Sequence, residues 1–546
     1  MSTLMYHAYL FEAKGIQRWI LEGGRLRDIA TASNLLATCF RSDNNDLLAP
    51  ALAAAGPGDT FSRRAGGAFM LHYREDQQDR LDRFRALWRL IFMQTLPGLE
   101  FVESFGQGAT PEAARAAAYD QTKQRRTAAG RENSLAGLPP YGHPLAAFAP
   151  RTGRPAVPST GSERIDAVTR TKRLHAPKSD VIGQMFLAAA AASPPPLWPN
   201  QMDDDPDIAA DDGRAVLFPF TGDDRWIAVV HADISALGRF YAALRDVAAE
   251  PDKAISMARE ASGLIEAAVI AAAQRASAAT LLPVALNDVM PARPILIGGD
   301  DMTIILRGDV ALPFTQSFLV HLEQESATKL SDFADRHGIT APAARGPLTA
   351  TAGVAFGKAK QPFFRLLELA EDLCGHAKTH AKQASAIRPP SAVSFLRITE
   401  SALPAKADGM FDRLQTASGR LHAQPYRVGQ VAARGFVDLE ALDVLRQDLT
   451  RPGLRPGGLR EVRSLLLQGL DDLAQESWQR WQQIAARRSR DGFDKLMQTL
   501  TPLLGGAPGS GPSLFAPPAT QGGPADGGTP LFDALEWNAI TGANEP

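Results

Sequence analysis

The apolar positions of this chain change period in an order that repeats. Residues 6–11 (Tyr-His-Ala-Tyr-Leu-Phe) form a short β-rich run. Helical periodicity follows over 15–22 and 28–40, with Gly23 and Gly24 between. Residues 60–71 read as a hairpin about Gly66-Gly67, 77–96 as a long amphipathic helix, 99–104 as a strand and 111–126 as a helix. The same order then returns. Residues 226–231 (Trp-Ile-Ala-Val-Val-His) predict a buried strand. Leu237, Phe240, Tyr241 and Leu244 fall on one side of a helix over 237–247. An alanine-rich helix covers 251–279, and a hairpin occupies 295–306. A helix (311–337), a strand (348–356) and a helix (362–383) complete the copy. Strand, helix, hairpin, helix, strand, helix therefore occurs twice, which predicts two related α+β domains.

Between the copies, residues 127–215 are rich in Pro, Gly and Arg, then in Asp; 203–212 reads as a solvated acidic loop. The pattern divides the chain into a first copy (1–126), a linker or small insert (127–215), a second copy (216–395), a helical C-terminal domain (396–502) and a Gly/Pro-rich flexible tail (503–546). Trp478 and Trp481 stand i, i+3 on a predicted helix, where packing in a core or at a partner surface is the expected use. Residues 531–540 form an apolar island expected to dock on the body or on a partner.

Bulk properties narrow the class. A chain of 546 residues suggests roughly three or four domains. It is 45% hydrophobic and 22% charged, as soluble globular proteins are. A formal charge of -2 gives no global basic field for nucleic acid. Two cysteines, Cys39 and Cys374, form no CxxC pair, so neither a disulfide framework nor a cysteine zinc site is expected. The N-terminus lacks a signal-peptide layout and no uncharged apolar run reaches membrane length, so a cytoplasmic protein without a membrane partner is expected.

The second hairpin carries the candidate chemistry. Residues 295–306 read Ile-Leu-Ile-Gly-Gly-Asp-Asp-Met-Thr-Ile-Ile-Leu. Gly298 and Gly299 leave no side chain between the backbone and a ligand. Asp300 and Asp301 offer the hard oxygens that Mg2+ (or Mn2+) prefers. Alone, the motif is equally an ordinary Gly/Asp turn. Asp233 ends the 226–231 strand region; adjacent strands lie about 5 Å apart, so it can share a metal with the pair. It reads also as a helix N-cap. The Ile234 carbonyl offers another oxygen. Ser235 to Gly238 opens a helix whose N-terminus suits a triphosphate. Lys358 and Lys360 follow the 348–356 strand, and Lys378 and Lys382 stand i, i+4 on the next helix; a solvated helix face accounts for these lysines equally well. Converging carboxylates of this kind serve two-metal nucleotidyl transfer.

Four ordered motifs carry a resemblance. They are residues 10–18 with 25–28 (Leu-Phe-Glu-Ala-Lys-Gly-Ile-Gln-Arg … Arg-Leu-Arg-Asp), 231–240 (His-Ala-Asp-Ile-Ser-Ala-Leu-Gly-Arg-Phe), Gly298-Gly299-Asp300-Asp301, and 351–356 (Thr-Ala-Gly-Val-Ala-Phe) with Pro362-Phe363 and Ala377-Lys378. Together they resemble the Cas10 family (Cmr2/Csm1), the large subunit of type III CRISPR effector complexes. The resemblance covers most of residues 5–385. It implies an α+β fold of two ferredoxin-like palm domains, of the nucleotide cyclase/polymerase type, plus a helical C-terminal domain. It implies that ATP is converted to cyclic oligoadenylates. Asp233, Asp300 and Asp301 would be the metal carboxylates; Gly298 and Gly299 would let the triphosphate approach. Guide or target RNA and other type III subunits are the implied partners.

Three features depart from the family pattern. The first palm begins near residue 5 and no His-Asp doublet occurs, so no HD nuclease is expected. Residues 149–156 hold no cysteines where a zinc motif often lies, so no zinc is expected. Ser235 stands where many members have a second Asp. Two other readings stay open. One is an RNA-guided structural subunit with little turnover, its RNA bound by Lys123, Arg125, Arg126, Arg131, Arg151, Arg154, Arg170, Lys172, Arg173 and Lys178, although a flexible basic linker accounts for these cations equally well. The other is a stand-alone signalling cyclase, working as a homodimer.

Overall fold

The structure is a computed structural model that describes residues 5–40, 47–55, 61–65, 67–125, 147–158, 163–177, 179–203, 215–247, 251–399, 406–505, 514–515 and 527–542. Its first part runs β1 (Tyr6–Lys14), α1 (Ile16–Leu21), α2 (Leu26–Phe40), α3 (Leu48–Ala55), β2 (Phe61–Ala65), β3 (Ala68–Arg74), α4 (Gln78–Thr95), β4 (Glu100–Gly108) and α5 (Pro111–Arg125). The sheet order is β2-β3-β1-β4 with every pairing antiparallel, the ferredoxin-like arrangement. Phe11 at its centre touches Phe69, Trp88, Phe92 and Phe101 at ring-centroid distances of 4.9–5.5 Å. These aromatics bury the face that the 2- and 3.6-residue periods point inward.

The stretch read as a linker or insert has structure of its own: β5 (Ala156–Val157), β6 (Ile165–Asp166), α6 (Ala167–Leu174) and α7 (Val181–Phe186). Three of its cations are taken up by partners within the fold. Lys172 is buried, donates to the Trp19 carbonyl and lies over the Trp19 ring. Arg173 binds Asp28 in a fork at 2.7 and 2.8 Å, and Arg154 binds Glu22 at 2.6 and 2.9 Å. Burying a charge demands such partners. Arg126, Arg131, Lys178 and nearly all of the acidic loop lie outside the described residues.

The second part repeats the first: β7 (Trp226–Ile234), α8 (Leu237–Val247), α9 (Pro251–Ala276), β8 (Ala292–Gly298), β9 (Asp301–Arg307), α10 (Gly308–Arg336), β10 (Ala350–Lys358) and α11 (Phe363–Ala384). The order β8-β9-β7-β10 matches the first sheet strand for strand. Two strands that the pattern did not predict extend it: β11 (Ser391–Arg397), parallel to β10 at the end of the expected second copy, and, after α12 (Ala407–Asp412), β12 (Tyr426–Val428) within the region expected to be helical. The helices α13 (Leu439–Leu449), α14 (Gly457–Leu467), α15 (Asp471–Arg488), α16 (Arg490–Leu503) and α17 (Leu531–Thr541) complete an α+β fold. The segment Lys253–Val284, which includes all but the first two residues of α9, is long and apolar enough to cross a membrane by length and composition. In this fold it packs along α10 with Ala261, Ile265, Ala268, Ala272 and Ala276 buried.

Two apolar islands find their places here. Trp478 and Trp481 are buried and stacked at 5.4 Å, and the Trp481 indole donates to the Arg455 carbonyl. The 531–540 island docks on the body as α17. There the buried Asp533 accepts hydrogen bonds from the Ala423 N–H, the Gln424 amide and the Tyr426 hydroxyl. Burial pushes its carboxyl up to about 6, against those three donors. Asp533→Asn sets an N–H2 against a group of donors and leaves at least one unpaired. The expected cost is about 1–3 kcal/mol, read as a lower urea midpoint at pH 7.

The two palms share a core. Trp19, Ile20 and Ile29 of the first pack in one cluster with Ile227, Val229, Ile295 and Ile305 of the second. Asp180 bridges them as well. It accepts from Asn34 at 3.1 Å and binds Arg293 at 2.6 and 3.1 Å. Burial opposes its charge, but Arg293 outweighs burial and holds its pKa below the usual range.

Candidate active site between the two palms

Alternation along β7 decides which way its acid points. Ala228, Val230 and Ala232 join the core beneath α9 and α10; Ile227 and Val229 join the core shared with the first palm. Period two therefore places His231 and Asp233 on the face toward α11 and the first palm. In register, Asp233 stands opposite Asp301 on β9 and Thr351 on β10. The hairpin turn closes with Gly299 at φ 64, and the Asp300 carbonyl accepts from the Ile234 N–H at 3.0 Å, tying the turn to β7. Gly298 is the last residue of β8.

Like charges directly across an antiparallel pair are destabilising. Here three acids converge: one oxygen each from Asp233, Asp300 and Asp301 lies within 4.8 Å of the others. Burial first, then the charges of Asp300 and Asp233, push the Asp301 carboxyl up to about 8. Three hard oxygen donors with excess negative charge fit a divalent cation such as Mg2+ or Mn2+. Asp233, Asp300 and Asp301 are the side chains that would hold it.

The predicted phosphate donors divide. Lys378 donates to Asp233 Oδ2. Burial opposes its charge, but Asp233 outweighs burial and raises its pKa. As found here it neutralises the carboxylates instead of standing free for an anion. Lys382, four residues on, is exposed near the end of α11. Lys358 pairs with Asp224 and lies 4.0 Å over the Trp226 ring. Ser235 is not the start of a helix: its N–H donates to the Thr349 carbonyl at 2.8 Å, and its hydroxyl is buried without a partner among the described residues. Ala236 takes a left-handed φ of 62, and α8 begins only at Leu237. Leu237 and Gly238 then share a cavity wall with Gly299 and Asp300.

A cavity of about 1140 Å3 opens on the acids. Gly298, Asp300 and Asp301 form one wall, and Arg18, Gly23 and Gly24 of the first palm form the facing one. Gly15, Gly23 and Gly24 all have positive φ, which lets that loop double back toward the hairpin. His231 marks the seam: its Nδ1 lies 3.1 Å from Thr303 Oγ1 and 3.5 Å from Gln17 Nε2 of the first palm. Burial, aided by Lys378, lowers its pKa to about 4, so it stays neutral and adds no cation. The position in the first palm that matches Asp233 is Glu12, opposite Ala68 as Asp233 is opposite Asp301. It pairs with Lys14 and has no carboxylate facing it across the hairpin.

The fold and these acids define a double-palm protein with a carboxylate cluster in one of its palms. No protein-family model matches the sequence, nor does any curated protein sequence at a significant level. Among solved structures, the chain is similar to a Csm1-Csm4 cassette in complex with cA4, at 13% identity over 100% of this chain and 70% of that one, with a TM-score of 0.46. It is similar to a Csm1-Csm4 cassette in complex with cA3, at 14% identity over the same shares with a TM-score of 0.46. A third is a Csm1-Csm4 subcomplex of the type III-A CRISPR-Csm interference complex, at 13% identity, 100% and 70% coverage and a TM-score of 0.43.

Proposed function

We propose that the chain is a Cas10-type large subunit whose second palm is a metal-dependent nucleotidyltransferase, joining ATP into cyclic oligoadenylates. The observation that carries this is the cluster of Asp233, Asp300 and Asp301, two of which, Asp300 and Asp301, line a cavity walled by the other palm. The four ordered sequence motifs support the family. The cavity exceeds the roughly 300–1,000 Å3 of a site for one small ligand, which supports two nucleotides side by side.

In the reaction the 3′-hydroxyl oxygen of one nucleotide bonds to the α-phosphorus of the other. The bond from that phosphorus to the β-phosphate oxygen breaks, pyrophosphate leaves, and the hydroxyl proton passes to solvent. A bound magnesium ion supplies charge neutralisation and Lewis acidity at the phosphates. The strands β7 and β9 hold Asp233 and Asp301, and the turn tied to β7 holds Asp300, with the rigidity that a site for in-line transfer needs. Lys378 balances Asp233 when the acids carry no cation, and Arg18 and Lys360, exposed in the same cavity, offer donors to phosphate.

Purified protein incubated with ATP and Mg2+ or Mn2+, with and without RNA, tests this by mass spectrometry. Cyclic or linear oligoadenylates are expected. No product with any metal or RNA, together with copurifying RNA, would favour the structural-subunit reading instead.

A further inference from the structure

A second cavity, of about 520 Å3, lies against the same hairpin tip, and Asp300 lines both it and the larger one. Gly299, Leu237 and Gly238 line it as well. Its lining also includes Arg115 on α5 of the first palm and Arg245 in the last turn of α8 of the second. Neither guanidinium has an ion pair or hydrogen bond among the described residues, and they repel one another: burial, and then Arg245, lowers the Arg115 pKa. The other charged groups in this cavity are Lys123, Asp120 and Glu112. Lys123 and Asp120 pair with each other at 3.2 Å, and Glu112 is the carboxylate whose charge acts on Arg115. Two planar forks held close with no ion pair to either are costly unless an anion joins them, and phosphate fits such forks.

We infer that Arg115 and Arg245 form the seat of the departing pyrophosphate, so that the donor nucleotide's polyphosphate runs from Asp300 into this cleft. The inference rests on the nucleotidyltransferase reading. Its geometry suits that reaction, because in-line displacement needs the attacking and leaving oxygens on opposite sides of phosphorus. The attacking nucleotide occupies the large cavity on one side of Asp300, and the pyrophosphate exits on the other. The first palm thereby contributes a substrate-binding arginine to the carboxylates of the second.

Calorimetry with inorganic tripolyphosphate plus Mn2+, with Mn2+ alone and with adenosine tests this on the full chain. Arg115→Ala and Arg245→Ala should each weaken tripolyphosphate by about tenfold or more. Mn2+ and adenosine binding should be unchanged, and Arg115→Lys should recover part of the loss. Arg115→Gln serves if the alanine variant folds poorly. Unchanged tripolyphosphate affinity in a double variant that melts and binds Mn2+ as the parent does would overturn the inference. So would a parent protein with no tripolyphosphate affinity, or variants that lose single-stranded RNA but keep tripolyphosphate. A parent that binds tripolyphosphate through both arginines yet joins no ATP would instead overturn the nucleotidyltransferase reading and leave an anion cleft.

Discussion

Asp301→Asn should all but stop the proposed joining of ATP and at the same time stabilise the metal-free protein. The first effect follows from removing a charged metal ligand at the reacting phosphates, with an expected loss of about 10²–10³-fold or more. The second follows from the strand register, which sets Asp301 against Asp233 beside Asp300. Its pKa in the fold is raised from 3.8 to about 8. A carboxyl with a raised folded pKa supports the fold while protonated, and that support is lost as pH rises through the folded value. The asparagine variant therefore gains over the parent as pH climbs from about 4 to about 8; the gain is constant above 8 and absent below 4. Water in the open cavity screens the repulsion, leaving on the order of 1–3 kcal/mol. Melting curves with chelator across this range check it, and Mn2+ should raise the melting temperature of the parent but not of the variant. A variant melting below the parent at pH 9 without metal would refute the repulsion.

Gly353→Ala should be the most damaging single methyl in the second palm. An added Cβ would meet the Ala370 carbonyl oxygen at 1.9 Å and the Cys374 nitrogen at 2.5 Å, both backbone atoms of α11. No side-chain rotation relieves that, so α11 must move off β10 and carry Lys378 away from Asp233. Overpacking of this kind costs about 3–5 kcal/mol. Gly106 in β4 repeats the contact in the first palm, with the Ala114 carbonyl at 1.8 Å and the Ala118 nitrogen at 2.5 Å. Gly375 on the exposed side of α11 is the control: nothing lies within 4 Å, and alanine there should be neutral or gain up to about 1 kcal/mol. Urea unfolding of the three variants separates close packing from propensity.

Much of the second palm was legible because its strands are buried on both faces. The run Trp226-Ile-Ala-Val-Val-His and the flanks of the glycine turn read as strands from composition alone, and they form β7, β8 and β9. The duplication was legible too, because both copies keep the same order of periods. The added strands β11 and β12 were missed: residues 391–397 were left outside the predicted elements, and Tyr426–Val428 is too short to signal among helices. The insert's cations read as an RNA surface because a sequence does not show that Glu22, Asp28 and Glu163 wait for them.

The sequence by itself determined the chemistry on offer: two adjacent aspartates on a glycine turn, a third at the end of a neighbouring strand, and a sister hairpin without acids. Those depend on local pattern, where one residue's period fixes its face. The tertiary structure decided what surrounds them. Lys378 reaches Asp233 across 145 residues, Gln17 comes near His231 across 214, and Arg115 and Arg245 line one cleft from different palms. Such pairings depend on how two sheets pack through a shared core, and no periodicity along the chain encodes that distance.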